Sequence, residues 1–321
     1  MKAIVVSEFG GPEQLVLGEL GEPSPGPGQI RIAVALAATN PVDAGVRTNG
    51  GWAGVTTPFV PGYDVAGVVA AVGAGVREPA VGDRVMAMTP FPRGGGGYAE
   101  SVVVAASAAA TIAPGVGFRD ATATPLAGGT ALEVLDRLSC APGSRLLVLG
   151  ASGGVGLFLL QLARLRGIRT IAVGRAGMHG RMLELGAEAC VDYTTEDVAE
   201  RAAAIAGGPV DAVADLVGGP ALGPALPVLR PGGSIAAIQT PELDLDLLLD
   251  NNWTLHGVLI RDDGPRLRRL AAHLADDGLR AVVSQVLPLA RAAEAHRLLQ
   301  DGPTRGKILL QVAAPERPDA R

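Results

Sequence analysis

The chain has 321 residues and a formal net charge of −5, with 48% hydrophobic and 18% charged residues. This composition excludes a disordered chain, and its acidity argues against a general nucleic-acid binder or a basic membrane-surface protein. The two distant cysteines, Cys140 and Cys190, predict neither a disulfide framework nor a cysteine-rich zinc site, and they fit a reduced, cytoplasmic setting. Lys2 and Lys307 are the only lysines, which indicates compositional bias towards arginine rather than function.

The first hundred residues show short apolar runs separated by glycine- and proline-rich turns, an all-β pattern with irregular loops. The predicted strands there are Ala3–Val6, Ile30–Ala35, Val65–Val72, Arg84–Ala87 and Tyr98–Val104. The N-terminal strand does not have the long apolar stretch of a signal peptide. The most apolar window, 146–165, contains several glycines and divides into a strand and a helix, so no membrane span is predicted.

From about residue 120, helical and strand patterns alternate, which is typical of a parallel α/β sheet. The predicted helices are Ala121–Leu138, 154–166, 178–185, Thr195–Ala206, Leu222–Val228, Pro265–Asp276 and Ala290–Gln300. The predicted strands are 146–150, Arg169–Val173, Cys190–Tyr193, Ala212–Leu216, Ser234–Ile238, Thr254–Ile260, Val282–Leu287 and Lys307–Val312. The simplest arrangement is a β-rich domain of residues 1–119 and 265–321, interrupted by a doubly wound α/β domain of residues 120–264.

A glycine-rich turn follows the strand at 146–150 and opens a helix. The run Ala151-Ser152-Gly153-Gly154-Val155-Gly156 is a form of the dinucleotide fingerprint. Gly153 permits a tight turn, Gly154 lets the backbone approach a diphosphate, and Gly156 lets the helix pack on the strand. The helix then directs its unpaired N–H groups at the phosphate charge. The alternative is a tight turn that binds nothing.

The end of the next strand predicts which coenzyme this turn binds. Sites specific for NAD place an acidic residue there for the ribose 2′-hydroxyl, whereas this chain has Gly174-Arg175 and no acid before Glu184. A guanidinium suits a 2′-phosphate, and Arg181 and Tyr193 are candidates to complete the pocket. The sequence therefore favours NADPH. Val217 and Gly218, after a later strand, either contact the ribose or nicotinamide or only form a turn.

These motifs together resemble the medium-chain dehydrogenase/reductase superfamily, in its zinc-free branch of quinone oxidoreductases and enone (alkenal) reductases. The resemblance covers nearly the whole chain. It rests on the order and spacing of Asn40-Pro-Val-Asp43, Pro61-Gly-Tyr-Asp-Val-Ala-Gly-Val-Val69, Val81-Gly-Asp-Arg-Val85, Gly97-Tyr-Ala-Glu100, Pro125-Leu-Ala-Gly-Gly-Thr-Ala131, the glycine-rich turn, Leu185-Gly-Ala187, Val191-Asp-Tyr193, Leu229-Arg-Pro-Gly-Gly233 and Gly306-Lys-Ile-Leu-Leu310. It implies a GroES-like catalytic domain with an inserted Rossmann domain.

The chain differs from the zinc-dependent members of that superfamily at the positions of their metal ligands. Those enzymes carry a cysteine ligand near the position of Asn40 and a His-Glu pair where this chain has Tyr63-Asp64. The four-cysteine structural zinc lobe is absent as well. The chain has four histidines, which we expect to be surface or helix residues: His179, His256, His273 and His296. Together with the two isolated cysteines they do not form a set of zinc ligands. We therefore expect no metal site.

Without a metal to polarise an alcohol, the resemblance implies hydride transfer from NADPH to a quinone or to the β-carbon of an enone, with a proton taken from water or a nearby hydroxyl. By resemblance, Asn40 and Thr130 lie beside the nicotinamide ribose and carboxamide, and Asn40 is also a candidate donor to the substrate carbonyl. Tyr63 is either a proton donor or a buried packing residue. Asp43 is expected in a turn or buried hydrogen bond.

Three aromatic residues, Trp52, Phe59 and Phe91, are candidates to line an apolar substrate pocket. Two other functions stay open: an enoyl reductase acting on an acyl or polyketide intermediate, and a non-catalytic NADPH-binding protein. The resemblance also implies a homodimer, with the strand around Thr254–Ile260 as a candidate for pairing across a two-fold axis.

Overall fold

The structure is a computed structural model that describes residues 1–92, 95–276, 278–302 and 305–312. In chain order its elements are β1 (Lys2–Val5), β2 (Val16–Glu19), β3 (Gln29–Ala38), α1 (Pro41–Asn49), β4 (Asp64–Val72), β5 (Arg84–Met88), β6 (Ser101–Ala105), β7 (Ala109–Thr111), α2 (Phe118–Ala123), α3 (Pro125–Leu138), β8 (Arg145–Leu149), α4 (Gly154–Leu165), β9 (Arg169–Val173), α5 (His179–Glu184), β10 (Ala189–Val191), α6 (Val198–Ala206), β11 (Val210–Asp215), β12 (Leu229–Ala237), α7 (Leu245–Asn251), β13 (Thr254–Gly257), α8 (Gly264–Asp276), β14 (Val283–Pro288), α9 (Ala292–Asp301) and β15 (Lys307–Gln311).

The chain forms two compact units. The first contains Met1–Leu126 and Arg261–Arg321, and the second contains Ala127–Ile260. The first boundary falls inside α3, which begins at Pro125. The inserted unit is therefore one continuous stretch of chain, whereas the first unit is assembled from both ends.

The first unit is built on a seven-stranded sheet. Its strands run in the order β14-β15-β3-β4-β5-β7, and β6 pairs with β3. The alternation of side chains along these strands buries one face, with Ile30, Ile32, Val65, Val85 and Ile308 in the core. Because β15 pairs with the end of β3, the first residue of β15 comes next to the residues that follow β3. This pairing brings Lys307 into the site described below.

The second unit is a parallel six-stranded sheet in the order β10-β9-β8-β11-β12-β13. The strand order reverses between β8 and β11, and this is the topological switch point at which doubly wound sheets bind ligands. The core contains Leu147, Ile171, Val191, Val213 and Ile235, one residue from each of five strands. β13 is an edge strand, which within residues 1–92, 95–276, 278–302 and 305–312 pairs with β12 and no other strand.

Several sequence-derived elements differ from the structure for local reasons. The first hundred residues are not all β, because Asn40-Pro41 starts helix α1, with proline at the first helical position, where its missing N–H is not needed. The predicted helix Ala121–Leu138 is divided into α2 and α3 at Pro125 for the same reason. The predicted helix Leu222–Val228 is a 3₁₀ helix containing Pro227. The helix α7 was not predicted.

Two predicted strands each lack three of the expected residues at one end. The strand predicted over Tyr98–Val104 begins only at Ser101, and the one predicted over Thr254–Ile260 ends at Gly257. Within the described part of the chain, no helix combines the length and apolar character that crossing a membrane would require.

Candidate active site and coenzyme site

Helix α1 holds Asn40 at its N-terminus. Asn40 is the N-cap residue, in extended conformation, and Asp43 at the third helical position accepts its backbone N–H through Oδ2 at 2.7 Å. This contact is half of a capping box and fixes where the chain enters the helix. Asn40 is only 2% exposed, so its polar side chain needs partners inside the protein.

Those partners are Lys307 and Asp64. The ammonium of Lys307 donates to Oδ1 of Asn40 and to Oδ2 of Asp64, the latter at 3.2 Å. Nδ2 of Asn40 donates to the same Oδ2 of Asp64 at 3.0 Å. Oδ1 of Asp64 accepts the backbone N–H of Leu126 at 2.7 Å. Lys307 and Asp64 are 5% and 0% exposed, and loss of one partner from such a buried pair costs about 3–5 kcal/mol.

A second buried carboxylate lies beside this pair. Asp43 is fully buried, and its pKa is raised to about 7, mainly by burial and next by the charge of Asp64. The hydrogen bond from Asn40 and the charge of Lys307 act in the opposite direction. The carboxyl group of Asp43 therefore takes up a proton near neutral pH.

A chain of hydrogen bonds approaches Asp43 from helix α9. Nη1 of Arg47 lies 3.0 Å from Nδ1 of His296, whose Nε2 lies 3.1 Å from the hydroxyl of Tyr98. The pKa of Tyr98 is raised by burial and, next, by the charge of Asp43. Arg47 further donates to the carbonyl of Gly10 at 3.0 Å. Together with Asn40, Asp64 and Lys307, these side chains form a buried polar layer next to helix α1.

Tyr63, for which the sequence leaves the roles of proton donor and buried packing residue open, is 1% exposed. Its hydroxyl donates to the carbonyl oxygen of Pro92 at 2.8 Å, and its ring meets Phe91 edge-on at 5.0 Å. Burial, and next the charge of Asp43, raises its pKa above the ordinary tyrosine value. These contacts favour the packing alternative for Tyr63.

The three aromatic residues proposed for a substrate pocket lie in different surroundings. Trp52 is 56% exposed and lines a groove of about 510 Å³. The rest of the groove is formed by α1 and α9, through Pro41, Ala44, Gly45, Thr48, Asn49, Leu299 and Gln300. Phe59 instead packs against the hydrophobic core and pairs its backbone with Val6. Phe91 is buried against Tyr63. Only Trp52 is among the residues that line this groove.

In the second unit, the glycine-rich turn connects β8 to α4 as the fingerprint predicts. Gly153 is the N-cap residue, so the N–H groups of Gly154, Val155 and Gly156 belong to the first turn, where helical N–H groups have no intrahelical acceptor. A Cβ on Gly156 would lie 2.5 Å from the carbonyl oxygen of Ala151, which leaves room only for glycine. Ser152 is half-buried in the same turn. This geometry fits a diphosphate.

The residues proposed for the 2′-phosphate follow β9 and β10. Gly174 is buried at the end of β9, and Arg175 is exposed beside it. Nε of Arg175 donates to the hydroxyl of Tyr193 at 2.9 Å, so these two candidates are brought together. Arg181 pairs instead with Glu184 at 2.8 Å, and this carboxylate already balances its charge. Of the two arginines, Arg175 is therefore the better candidate for binding an anion.

The remaining candidates also belong to the second unit. Oδ1 of Asp215, at the end of β11, accepts the backbone N–H groups of Val217 and Gly218, both at 3.0 Å. This carboxylate fixes the turn after β11, with Gly218 at a φ of 78° that favours glycine. Val217 is 46% exposed on that turn. Thr130 is buried on α3.

Four residues of the buried layer were not predicted from the sequence: Arg47, Tyr98, His296 and Lys307. The interpretation of the lysines as compositional bias overlooked Lys307, although a charged residue that opens an apolar strand is a signal in itself. His296 is a helix residue as expected, but it is fully buried. Among the described residues, no group of three or more His, Cys, Asp or Glu side chains has the arrangement of a metal site.

Two family models match the chain. The model described as alcohol dehydrogenase GroES-like domain matches residues 26–114, and the one described as zinc-binding dehydrogenase matches residues 185–310. The chain is 31% identical to a probable quinone oxidoreductase of Schizosaccharomyces pombe, with 90% of each chain covered. It is 30% identical to the NADPH-dependent alkenal/one oxidoreductase of Arabidopsis thaliana, over 97% of this chain and 79% of the relative.

Solved structures agree with this likeness over nearly the full length. A structure titled NAD-dependent alcohol dehydrogenase has a TM-score of 0.90 at 32% identity and covers 98% of this chain and 100% of its own. Escherichia coli quinone oxidoreductase complexed with NADPH has a TM-score of 0.89 at 26% identity, covering 97% and 100%. The chain therefore belongs to the medium-chain dehydrogenase/reductase superfamily, with quinone oxidoreductases and alkenal reductases among its relatives.

Proposed function

We propose that the protein is an NADPH-dependent reductase of quinones or α,β-unsaturated carbonyl compounds that works without a metal. The observation that carries the proposal is the cluster of Asn40, Asp64 and Lys307. By resemblance, zinc-dependent relatives place metal ligands near Asn40 and at Tyr63-Asp64. Here the ammonium of Lys307 supplies the positive charge there, bonded to both Asn40 and Asp64. A second cation would have to compete with it.

The chemistry of the acceptor follows from this arrangement. An alcohol needs a Lewis acid to stabilise its alkoxide, whereas a quinone or enone is already electrophilic at the carbon that accepts hydride. The protein then has to hold the acceptor and donate a hydrogen bond to the oxygen on which negative charge develops. Asn40 has the donor for this, since only one of the two N–H bonds of its amide is needed by Asp64.

Support for NADPH as the coenzyme comes from the second unit. The N–H groups of the first turn of α4 suit a diphosphate, and Arg175 with Tyr193 suits a 2′-phosphate. When bound, NADPH supplies the hydride. By the family resemblance, Asn40 and Thr130 hold the nicotinamide ribose and carboxamide, and Val217 and Gly218 lie along the same end of the coenzyme.

We assign the groove beside α1 to the acceptor. Trp52 offers an exposed aromatic face, and Ala44 and Gly45 leave space next to it. Pro41, which also lines the groove, directly follows Asn40 in the chain, so the groove extends to the start of the helix that Asn40 caps. Since the hydroxyl of Tyr63 donates to Pro92, we assign the proton that completes reduction to water.

The proposal includes a homodimer. β13 ends the six-stranded sheet and offers unpaired backbone groups on one side. A second copy of the strand, related by a two-fold axis, would continue the sheet across the interface. Proline at Leu255 removes a backbone N–H from this short strand. If the edge joins two subunits, sedimentation of Leu255→Pro should show monomer, whereas Leu249→Ser on the exposed face of α7 should not change the mass.

The test of the function is a coenzyme and acceptor panel. NADPH oxidation is followed by absorbance with ortho- and para-quinones, alkenals, cyclic enones and enoyl thioesters, and then with NADH in place of NADPH. We expect turnover with quinones or enones that survives prolonged treatment with a chelator. Failure of every acceptor despite NADPH binding would remove the enzymatic function, and loss of activity that zinc restores would remove the metal-free mechanism.

A further inference from the structure

Lys307 and Asp64 are the two buried charged residues that contact the Asn40 side chain, and Lys307 is the one that donates to it. It opens β15 and is 5% exposed, in a chain whose 27 basic residues include only one other lysine, Lys2. From its contacts we infer that Lys307 is a positioning residue, which sets the orientation of the Asn40 amide so that an N–H bond, and not the oxygen, is presented to the reacting groups. This inference rests on the proposed function, in which Asn40 contacts the coenzyme or the acceptor.

The chemistry of the three partners determines the orientation. An ammonium only donates hydrogen bonds and an ionised carboxylate only accepts them. The atom of Asn40 next to Lys307 must therefore be oxygen, and the atom next to Asp64 must be nitrogen, as the structure has them. Rotation of the amide by 180° would place its NH₂ group against the ammonium and its oxygen against the carboxylate. Both contacts would become repulsive.

The hydrogen-bond donor of Asn40 that Asp64 does not use defines the role of Asn40. The amide nitrogen carries two N–H bonds, and Asp64 Oδ2 takes one of them. The other is the donor for a ligand. A donor at this place suits an oxygen that gains negative charge as hydride arrives, or a ribose hydroxyl oxygen. An Asn40 held the opposite way round would offer an acceptor and would repel the same oxygen.

A lysine suits this arrangement better than an arginine. The ammonium is compact and can direct two of its N–H bonds at two neighbouring oxygens of different side chains, whereas a guanidinium is planar and larger. The two oxygens here, Oδ1 of Asn40 and Oδ2 of Asp64, belong to one closed ring of contacts. The ring also explains why Asp64, with both of its oxygens bonded, is held in place without contact with solvent.

The first variant to examine is Lys307→Met, which keeps the length of the side chain and removes the donor. We expect kcat with a quinone or enone to fall about a hundredfold, the loss that misplacement of a reacting group by about 1 Å produces. The KM for NADPH should change far less, because the diphosphate and 2′-phosphate sites belong to the other unit. Lys2→Met, at the exposed second lysine, is the matched control and should behave as the wild type.

A second variant separates orientation from buried charge. Lys307→Met leaves Asp64 as an unpaired buried carboxylate, which alone can destabilise the fold. In the double variant Lys307→Met with Asp64→Asn this charge is gone, and the amide introduced at position 64 can bond Asn40 in either orientation. We expect the melting temperature to recover while kcat stays low. Recovery of kcat together with stability would show that Lys307 only neutralises Asp64, and would overturn the inference.

A measurement that does not depend on turnover completes the test. The chain has four asparagines, so selective ¹⁵N labelling gives few side-chain NH₂ signals in a heteronuclear NMR spectrum. We expect the Asn40 side-chain N–H that bonds Asp64 to be protected from solvent exchange in the wild type and in Lys2→Met, and to lose protection in the double variant. Unchanged protection there would refute the inference even if the wild type is active. An inactive wild type with the expected protection would refute only the proposed function.

Discussion

Arg47 determines the tautomer of His296. The guanidinium lies 3.0 Å from Nδ1 of the imidazole and can only donate, so Nδ1 must carry a lone pair and the ring proton must be on Nε2. Nε2 then donates to the hydroxyl of Tyr98. A protonated imidazole would direct an N–H bond at Arg47. Accordingly, burial and, secondly, the charge of Arg47 lower the pKa of His296 to about 3.

The first prediction concerns stability between pH 4 and 6.5. His296 is neutral in the folded protein but protonated in the unfolded chain over this range, because its pKa falls from 6.5 to about 3 on folding. This difference lowers the free energy of unfolding as the pH falls. Asp43 is the reverse case, since its pKa rises from 3.8 to about 7 and the folded protein holds a proton that the unfolded chain releases. Its contribution is lost as the pH rises. The two groups change the free energy of unfolding in opposite directions, each by up to about 1.4 kcal/mol per pH unit, so their contributions should cancel.

Single variants should reveal the two slopes. His296→Gln keeps an acceptor for Arg47 and a donor for Tyr98 without a titrating group, so its free energy of unfolding should increase as the pH falls from 7 to 4. Asp43→Asn should show the opposite trend. Urea unfolding monitored by circular dichroism at half-unit pH intervals measures both. Parallel pH profiles for the wild type and both variants would contradict the assigned protonation states.

The second prediction concerns coenzyme selection by Arg175. Its guanidinium is exposed and bonded to the hydroxyl of Tyr193, so it remains available to a 2′-phosphate. We expect Arg175→Ala to raise the KM for NADPH about ten- to hundredfold and to leave the KM for NADH nearly unchanged. Arg181→Ala is the matched control, because Arg181 is paired with Glu184, and its effect should be several times smaller. An equal rise in the KM for NADPH and for NADH would place Arg175 outside the 2′-phosphate site.

The sequence predicted the parts of the fold and site that depend on local patterns. Apolar periodicity and glycine spacing located the strand, turn and helix around Gly153, and the missing acid after β9 led to Arg175. The buried layer next to α1 was not predictable in this way. Its members come from α1, β4, the segment before β6, α9 and β15, and the pairing of β15 with β3 brings Lys307 to Asn40, 267 positions earlier. A contact of this kind leaves no periodic signal.

Local sequence patterns also do not determine which of the three aromatic residues lines the groove. Trp52, Phe59 and Phe91 are aromatic residues of the first unit, and residue type alone placed them in one predicted pocket. In the structure, Phe59 is held by its backbone pairing with Val6 and Phe91 by Tyr63, and only Trp52 has an exposed face on the groove. Which aromatic ring faces solvent depends on how the 3₁₀ turn at Gly50–Ala53 leaves α1, and hydrophobicity does not encode it.

The third prediction concerns Gly156 in the glycine-rich turn. A Cβ there would lie 2.5 Å from the carbonyl oxygen of Ala151, so Gly156→Ala must push α4 away from β8. We expect a loss of about 1–3 kcal/mol in the free energy of unfolding and weaker binding of NADPH, since the N–H groups of the first turn shift with the helix. Gly180→Ala, in α5, is the control, because nothing lies within 4 Å of its added Cβ. That variant should gain up to about 1 kcal/mol. Calorimetry and NADPH fluorescence titration measure the two quantities.

The last prediction concerns Trp52 as the aromatic wall of the acceptor groove. Trp52→Ala removes a ring on which a planar quinone can stack, a contact of about 0.5–1.5 kcal/mol, so the KM for an aromatic quinone should rise about threefold to tenfold. The KM for a short acyclic alkenal should change less, because it offers no ring to stack. The other tryptophan, Trp253, belongs to the second unit and donates its indole N–H to the backbone carbonyl oxygen of Arg230. Trp253→Phe should therefore leave both constants unchanged and make Trp52 the only tryptophan reporter. Quinones should quench its fluorescence at concentrations near their KM, and an absence of quenching alongside full activity would move the acceptor away from this groove.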